Sequence, residues 1–430
     1  MKKVALYNLG CKVNAYETEA MQELLEKSGY EVVPFKEGAD IYIVNTCTVT
    51  NMADRKSRQM LHRAKKLNPG AIVVAAGCYV QARRDEDQEN AIDASVDIII
   101  GNNKKQDLIS ILQDYEQSRV QTEWIDINKT KEYEKLSLSK TGERTRAYIK
   151  VQDGCNQFCT YCIIPFARGR VRSRDKDEVI EEVEQLVKNG CQEVVLTGIH
   201  LSSYGVDTGD DLLSLILAVN EVKGLKRIRL GSLEPRVITG EFTRAIAGLK
   251  TICPHFHLSL QSGCDATLKR MNRRYTTAEY QEKCEYLRQY FTNPAITTDI
   301  IVGFPGETEE EFFCTKAFIE EIGFYETHVF KYSKRKGTKA AVMENQVDEA
   351  VKTVRSSILL ELGRAGQAAF EGLYLGEKVE ILIEEQVEKG GERLWIGHTK
   401  EYVKVAVQSE ESLENKLINT VIENRSQFIH

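Results

Sequence analysis

Three cysteines lie close together in the segment DGCNQFCTYC, residues 153–162. Cys155, Cys159 and Cys162 are separated by three and then two residues, so one short loop can direct three thiolates towards one metal cluster. Soft thiolates favour iron–sulfur clusters or zinc over hard cations. A 4Fe–4S cluster has four irons, so three cysteine ligands leave one iron open to a cofactor or a substrate. The spacing therefore predicts a 4Fe–4S cluster with one open coordination site.

Zinc is the alternative metal for these three thiols. Structural zinc sites usually combine two pairs of ligands. No second Cys-x2-Cys pair and no His-x3-His pair occurs in this sequence. A chance group of core cysteines is the third interpretation, and the close spacing gives it little weight.

A second set of three cysteines is spread over the N-terminal part of the chain. Cys11, Cys47 and Cys78 each follow a predicted strand, and they are 36 and 31 residues apart, one strand–helix repeat each. The carboxyl ends of parallel strands lie along one edge of a sheet, where ligands bind. Gly10 and Gly77 precede two of these cysteines and allow tight turns beside a bulky group. The pattern predicts a second three-cysteine cluster; the alternative is ordinary packing of small apolar side chains.

Alternating strands and helices must position both sets. In residues 1–114 the apolar pattern predicts a small parallel sheet covered by helices. Its predicted strands are 4–9, 40–44, 71–76 and 96–100, and its predicted helices are 17–28 and 53–67. Residues 115–143 are polar and without clear periodicity, so we expect a linker there.

Residues 144–346 repeat the alternation on a larger scale. Six repeats are too few for a closed eight-stranded barrel and predict a partial (β/α)6 barrel, open on one side. The predicted strands are 147–151, 193–196, 227–230, 256–260, 297–302 and 327–332, and the predicted helices are 177–189, 211–222, 240–249, 277–290 and 309–322.

The C-terminal part changes character. Residues 347–371 are predicted to form a connecting helical segment. Residues 372–430 contain short alternating strands at 378–385, 393–398 and 403–407, which predict a small antiparallel β-barrel. The fold class is therefore α/β, with three units in the order parallel sheet, partial barrel and small β-barrel.

Composition limits the environment and the partners. No apolar run approaches the roughly 18 residues that a membrane span needs, and we expect a cytoplasmic protein without a signal peptide or membrane partner. The 11 cysteines are an odd number and cytosolic thiols stay reduced, so a disulfide framework is excluded. The formal net charge of −6 means that any polyanion must bind at local basic patches.

The loop with Cys155, Cys159 and Cys162 resembles the cluster motif of the radical S-adenosylmethionine (SAM) enzymes, whose fold is a partial β/α barrel. The resemblance implies that SAM binds the open iron through its amino and carboxyl groups. Reduction of the cluster then cleaves SAM to a 5′-deoxyadenosyl radical. The resemblance also places Tyr161, just before the third cysteine, beside the cofactor.

Over essentially the whole chain, the order of units is similar to that of the methylthiotransferases, in which a three-cysteine domain, a radical SAM barrel and a small RNA-binding TRAM barrel follow one another. Further similar stretches are LTG at 196–198, GSLEP at 231–235, HLSLQSG at 257–263, MNRRY at 271–275 and DIIVGFPGET at 299–308. The segments GCKVNAYETE, from Gly10, and NTCTVT, from Asn45, resemble the MtaB type of this family.

That resemblance implies an enzyme with two 4Fe–4S clusters and two SAM molecules per product. One SAM supplies a methyl group to sulfur on the N-terminal cluster, and the other yields the radical that drives C–S bond formation. The MtaB type acts on N6-threonylcarbamoyladenosine at position 37 of tRNA, in the anticodon stem-loop. The alternatives are isopentenyladenosine in tRNA, a ribosomal protein side chain, or a non-catalytic RNA-binding protein with structural zinc.

Four other residues are candidates for the SAM or substrate pocket. Gly198, Ser232, Glu234 and Gln261 lie at or just past predicted barrel strands, where barrel active sites form. A turn or capping role is the alternative for each. We also expect an electron donor such as a flavodoxin or a ferredoxin.

Basic stretches are the candidate RNA contacts, since lysine and arginine bind phosphates and arginine stacks on unpaired bases. They are the arginines 168, 170, 172 and 174, residues 269–270 and 273–274, the cations at 331–339 and those of the helix at 53–67. Residues 372–430 are acidic, with seven basic and eleven acidic residues. Either that unit binds RNA through a few groups, such as Lys378, Arg393, Trp395 and Lys404, or it mainly supports the substrate.

Overall fold

The computed structural model describes residues 1–83, 95–118, 125–141, 145–389 and 391–430, without the side chains of Lys389 and Glu392. The N-terminal unit is a five-stranded parallel sheet in the order β2-β1-β3-β4-β5. Its strands are β1 (Lys3–Asn8), β2 (Glu31–Val32), β3 (Ile41–Thr46), β4 (Ile72–Gly77) and β5 (Ile98–Ile100). Every residue of β3 is buried, as expected for a parallel strand covered on both faces.

Four helices accompany this sheet in the described residues. They are α1 (Lys12–Lys27), α2 (Asn51–Leu67), α3 (Cys78–Gln81) and α4 (Leu108–Ser118). Helix α1 starts five residues before the helix predicted from the sequence, because Cys11 is its N-cap. Thr50 caps α2 by accepting a hydrogen bond from the amide of Ala53. Cys11 and Cys78 therefore lie at helix starts, and Cys47 lies in the turn between β3 and α2.

The central unit is a partial barrel. Strands β6 (Arg146–Asp153), β8 (Glu193–Gly198) and β9 (Arg227–Leu230) are parallel, and β7 (Arg172–Ser173) pairs antiparallel with β6 at the edge. Strands β10 (His255–His257), β11 (Ala295–Val302) and β12 (Glu326–Lys331) form the second half. A parallel bridge between Leu233 and Leu258 joins the halves, so six parallel strands share one carboxyl edge.

Helices cover the outer face of these strands. They are α5 (Ile164–Ala167), α6 (Lys176–Lys188), α7 (Leu212–Asn220), α8 (Gly240–Ala247), α9 (Asp265–Arg270), α10 (Thr277–Tyr290) and α11 (Glu309–Ile322). The largest core of the described chain lies between strands and helices, and it includes Ile149, Leu196 and Ile300. The opposite faces of the strands line the barrel interior.

The segment assigned as a linker packs closely against both units. Leu136 and Leu138 belong to the barrel core, and the hydroxyl of Tyr16 on α1 donates to the Leu136 carbonyl at 2.6 Å. The domain boundaries stay predictions; Gly142 and the predicted start of the barrel unit at 144 lie outside the described residues.

Helix α12 (Glu349–Gly372) leads to a four-stranded antiparallel sheet in the order β15-β14-β13-β16. Its strands are β13 (Lys378–Lys389), β14 (Glu392–His398), β15 (Lys404–Gln408) and β16 (Leu417–Val421). Arg229 of β9 is buried and donates to the carbonyl of Lys400 at 2.8 Å, so this sheet is anchored at the amino ends of the barrel strands. The predicted α/β fold class is confirmed. No helix in the described residues is long and apolar enough to cross a membrane.

Candidate active site

The close-spaced cysteines lie in the loop that follows β6. Gly154 has a φ of +72°, and a Cβ atom there would come within 1.8 Å of the Arg170 carbonyl oxygen, so only glycine fits. The amide of Gln157 donates to Cys155 Sγ at 3.5 Å, and the Arg273 guanidinium donates to Cys159 Sγ at 3.4 Å. Hydrogen bonds to sulfur of this kind stabilise thiolates and tune iron–sulfur clusters.

Two thiols of this loop are strongly desolvated. Burial raises the pKa of Cys155 to about 11 and the pKa of Cys162 to about 12. Without metal they are therefore protonated at neutral pH, whereas a free nucleophilic cysteine needs a lowered pKa. Metal binding requires thiolates and so releases these protons. The loop therefore suits a metal cluster better than covalent catalysis by a free thiol.

A cavity opens beside this loop. Its walls contain the three cysteines together with four of the predicted pocket residues, which are Tyr161, Ser232, Glu234 and Gln261. Gly198, at the end of β8, does not line it. A Cβ atom at Gly198 would lie 2.8 Å from Gln152 Oε1, so glycine is required there by packing. The role of all five in cofactor binding stays a prediction.

His200 is a wall residue that the sequence did not single out. Its Nδ1 lies 2.7 Å from Ser203 Oγ, and its amide donates to Gln152 Oε1 at 2.7 Å. Its Nε2 is buried without a hydrogen-bond partner among the described residues. Burial lowers its pKa to about 4, so the ring is neutral at pH 7. An unpartnered nitrogen on a cavity wall is a position for a polar ligand. The sequence signal that could have identified His200 was its position two residues past the barrel strand β8.

The other three cysteines meet at the carboxyl edge of the N-terminal sheet. Cys11 precedes α1, Cys47 follows β3, and Cys78 begins α3 directly after β4. A Cβ atom at Gly10 would come 3.2 Å from Cys47 Sγ, so glycine permits a close approach. Burial, with smaller contributions from Cys78 and Cys11, raises the pKa of Cys47 to about 12. The three thiols, distant in sequence, therefore lie near one another at this edge, and their role as cluster ligands stays a prediction.

Arg168 connects the two cysteine sets. It follows α5, just beyond the close-spaced loop, and it is fully buried. Its Nε donates to Cys78 Sγ at 3.1 Å, and its Nη2 donates to Asn14 Oδ1 at 2.6 Å. Its Nη1 lies 3.2 Å from Asp153 Oδ2, immediately before the loop. One side chain thus joins the N-terminal cysteine site to the strand that carries the barrel cysteines.

Other buried charges complete this junction. Lys150 Nζ lies 2.8 Å from Glu17 Oε1 and 2.7 Å from Asp153 Oδ2, while Lys105 Nζ lies 3.1 Å from Glu17 Oε2. Although burial opposes ionisation, Arg168 and the two lysines hold the pKa of Glu17 well below its usual value. Removal of one partner from such a network costs about 3–5 kcal/mol, because a buried charge is left unpaired.

The prediction that the four arginines after the cysteine loop contact RNA is wrong for three of them. Arg168, Arg172 and Arg174 are 0%, 1% and 4% exposed, and they pair with buried carboxylates. Sequence alone does not distinguish a solvated arginine from one that balances a buried acid. Arg170 is exposed and lies over the Phe158 ring, 4.5 Å from its centroid.

Three more predicted RNA contacts lie elsewhere than expected. Arg335 is buried and pairs with Asp54 of α2 at 2.9 Å. Trp395 is only 6% exposed and packs in the core of the C-terminal sheet. Arg273 lines the cavity instead of facing outwards.

The residues present fit the implied cofactors. Each cysteine set supplies three soft ligands from positions where glycines allow a close approach, which suits a cluster with one open iron. The cavity beside the barrel set offers His200 Nε2 as an orphaned buried nitrogen, together with hydroxyl, carboxylate and amide groups. Such a mixed polar wall suits a zwitterionic nucleoside such as SAM.

Two family models match the chain. The Radical SAM superfamily matches residues 149–318, and the Uncharacterized protein family UPF0004 matches residues 3–101. Solved structures give the fold alone. The radical SAM methyltransferase TsrM from Kitasatospora setae has a TM-score of 0.57 and 15% identity, over 80% of this chain and 77% of that one.

Curated relatives cover the whole chain. The threonylcarbamoyladenosine tRNA methylthiotransferase MtaB of Bacillus subtilis is 42% identical over 100% of this chain and 97% of its own length. The protein of the same name from Aquifex aeolicus is 40% identical over 89% of this chain and 93% of its own length. A tRNA-2-methylthio-N(6)-dimethylallyladenosine synthase from Finegoldia magna is 35% identical over 97% and 91%. These matches confirm the predicted cofactors, two 4Fe–4S clusters and SAM. The chain therefore belongs to the radical SAM methylthiotransferase family.

Proposed function

We propose that this enzyme converts N6-threonylcarbamoyladenosine at position 37 of tRNA into its 2-methylthio derivative. Three relatives named for this nucleoside are 38–42% identical to the chain, and five relatives named for dimethylallyladenosine are 34–36% identical. The observation that carries the proposal is the contact of Arg168 with Cys78. This contact supports an arrangement in which the two cysteine sets face one reaction space.

The reaction replaces an aromatic C–H bond at adenosine C2 with a C–S bond. An unactivated aromatic C–H bond does not yield to acid–base chemistry, so cofactors must supply the reactive species. When bound, the clusters and SAM supply the radical, the sulfur and the methyl group. Cys155, Cys159 and Cys162 would hold one cluster, and Cys11, Cys47 and Cys78 the other. Tyr161, Ser232, Glu234 and Gln261 would position SAM beside the cluster of the barrel cysteines.

The surface beside the cysteine loop suits an unstacked RNA loop. Phe158 and Phe166 are 36% and 45% exposed, with ring centroids 6.1 Å apart, and Arg170 lies over Phe158. Aromatic rings and guanidinium planes are the groups on which proteins stack unpaired bases. The anticodon stem-loop would bind here. A flavodoxin or a ferredoxin would supply electrons, and the cytoplasm is the proposed location because tRNA is modified there.

Mass spectrometry of tRNA nucleosides tests this function. We expect the 2-methylthio derivative of threonylcarbamoyladenosine to be absent from a strain without the gene and restored by the wild-type gene, but not by a Cys155→Ala gene. Persistence of that nucleoside in the deletion strain would reject the substrate. Loss of methylthio-isopentenyladenosine, or of a methylthio group on a ribosomal protein, would identify the substrate of a different branch.

A further inference from the structure

A group of polar side chains lies on the inner face of the second half of the barrel. His257, Asp299 and His328 stand on the neighbouring strands β10, β11 and β12, and Asp299 is directly opposite His328 in the strand register. His257 Nε2 lies 3.3 Å from Asp299 Oδ2, and its Nδ1 lies 3.0 Å from Thr297 Oγ1. These contacts orient the Asp299 carboxylate while leaving it partly open.

This group lies close to the cavity with the cysteine loop. Ser259, two residues beyond His257, lines that cavity, and the amide of Gln261 donates to the Asp299 carbonyl at 2.8 Å. Asp299 therefore stands beside the predicted SAM pocket, in the layer of the barrel interior that also holds His257 and His328. A substrate nucleoside that reaches the pocket would place its substituents against this layer.

Lys12 approaches the same layer from the N-terminal unit. It is exposed, it follows Cys11, and the charges that act on it are those of Arg229 and Arg146 and, more weakly, of Asp299. Arg146 is paired with Glu384 and Arg229 with Glu193. The Lys12 ammonium makes no hydrogen bond or ion pair with any residue that the structure describes. Among the three cations that meet here, it is the one still available to an anion.

We propose that Lys12 and Asp299 form the subsite for the threonylcarbamoyl group of the substrate. The inference rests on the proposed function and names the residues that recognise its substrate. The threonylcarbamoyl group carries one carboxylate and two urea N–H donors. Lys12 donates to the carboxylate, and Asp299, held by His257, accepts from the urea nitrogen.

The chemistry of the group accounts for selection against a dimethylallyl substituent. An apolar substituent would leave the Lys12 charge and the Asp299 carboxylate desolvated and without partners. Sites built for polar groups strongly reject such substrates for this reason. Charge-assisted hydrogen bonds are also the stronger kind. We expect the carboxylate contact to contribute a factor of about 10–100 in kcat/KM.

A substrate pair isolates the Lys12 contact. Two anticodon stem-loop RNAs are compared, one with threonylcarbamoyladenosine and one with its neutral methyl ester. Wild-type holoenzyme is expected to prefer the acid by about 10–100-fold in kcat/KM. Lys12→Met is expected to abolish the preference and Lys12→Arg to retain it. Lys36→Met removes an exposed lysine of the same unit and is expected to behave as wild type.

The Asp299 contact is tested with the same RNAs. Asp299→Asn is expected to lower kcat/KM for the acid and the ester by a similar factor, because both carry the urea nitrogens. Iron content and SAM cleavage without RNA are measured for every variant and are expected to match wild type, which separates recognition from cluster loss. If Lys12→Met lowers the iron content, the acid-to-ester ratio of Lys12→Arg still tests whether the positive charge selects the acid.

Several outcomes overturn the subsite. These are an unchanged acid-to-ester ratio in Lys12→Met, whether or not activity on both RNAs falls, or loss of the preference in Lys12→Arg. The ligand atoms of His257, Asp299 and His328 lie within 4.8 Å of one another, as a divalent metal site requires. A chelator could also remove activity without removing iron, and Zn²⁺ or Mn²⁺ could then restore it. That result would assign these three residues to a metal site and overturn the subsite. Failure of the proposed function looks different, because wild type would then act on neither RNA.

Discussion

The guanidinium Nε of Arg168 donates to the Sγ of Cys78 across 3.1 Å, although 90 residues separate them in the chain. The arginine belongs to the barrel and the cysteine to the N-terminal sheet. Through this contact the N-terminal cysteine site touches the segment that follows the barrel cysteine loop, and the buried charges of Glu17 and Asp153 gain a common partner. The junction between the units is therefore part of the site itself.

Replacement of Arg168 by methionine is expected to destabilise the protein by about 3–5 kcal/mol, because Glu17 and Asp153 would lose a buried counter-charge. Urea unfolding under anaerobic conditions measures this effect. Arg170→Met, at the exposed neighbour, is the matched control and is expected to stay within about 0.5 kcal/mol of wild type. Equal stability of the two variants would contradict the structural role of the junction.

Alanine substitution of the two cysteine sets should separate the clusters. The reconstituted wild-type enzyme is expected to bind about eight irons on the two-cluster interpretation. Cys11→Ala and Cys155→Ala are each expected to bind about four, since each removes a ligand from a different cluster. Cys314→Ala, at an exposed cysteine on α11, is expected to retain the wild-type content. An iron content that Cys11→Ala does not change would contradict a second cluster.

Stability is expected to depend on pH through His200. Burial lowers the pKa of this imidazole to about 4, below that of the unfolded chain near 6.5. Between these values the unfolded state binds the proton and the folded state does not, so stability falls as the pH drops from about 6.5 towards 4. His200→Gln should flatten the dependence. Anaerobic urea unfolding at pH 6.5, 5.8 and 5.0 measures both proteins, and parallel curves would show that His200 is not the group responsible.

The exposed ring of Phe158, with Arg170 above it, is expected to contribute to RNA binding. Base–aromatic stacking is worth about 1–3 kcal/mol per base, so Phe158→Ala should weaken tRNA binding by a factor of about 5–150. Arg170→Ala should weaken it and reduce its salt dependence. Fluorescence anisotropy with a labelled anticodon stem-loop measures both effects. Arg393→Ala, at an exposed arginine of the C-terminal sheet, tells whether that acidic unit takes part.

The sequence by itself determined the fold class and the two sets of candidate ligands. Continuous apolar runs identify parallel strands, because their burial on both faces requires apolar side chains, as in β3. Cysteines directly after such strands must converge, since all carboxyl ends lie at one edge. Local rules therefore sufficed to predict Cys11, Cys47 and Cys78 as one set, and spacing sufficed to predict the set in the loop at 155–162.

Only the tertiary structure decided which charges are buried. Arg168, Arg172 and Arg174 form a basic run that is indistinguishable in sequence from an RNA-binding surface, yet all three balance buried acids on other elements of the fold. Lys12 shows the reverse, since a single lysine after a cysteine carries no signal until its neighbours are known. Burial and ion pairing are long-range properties, so they depend on which elements pack together and not on the local pattern.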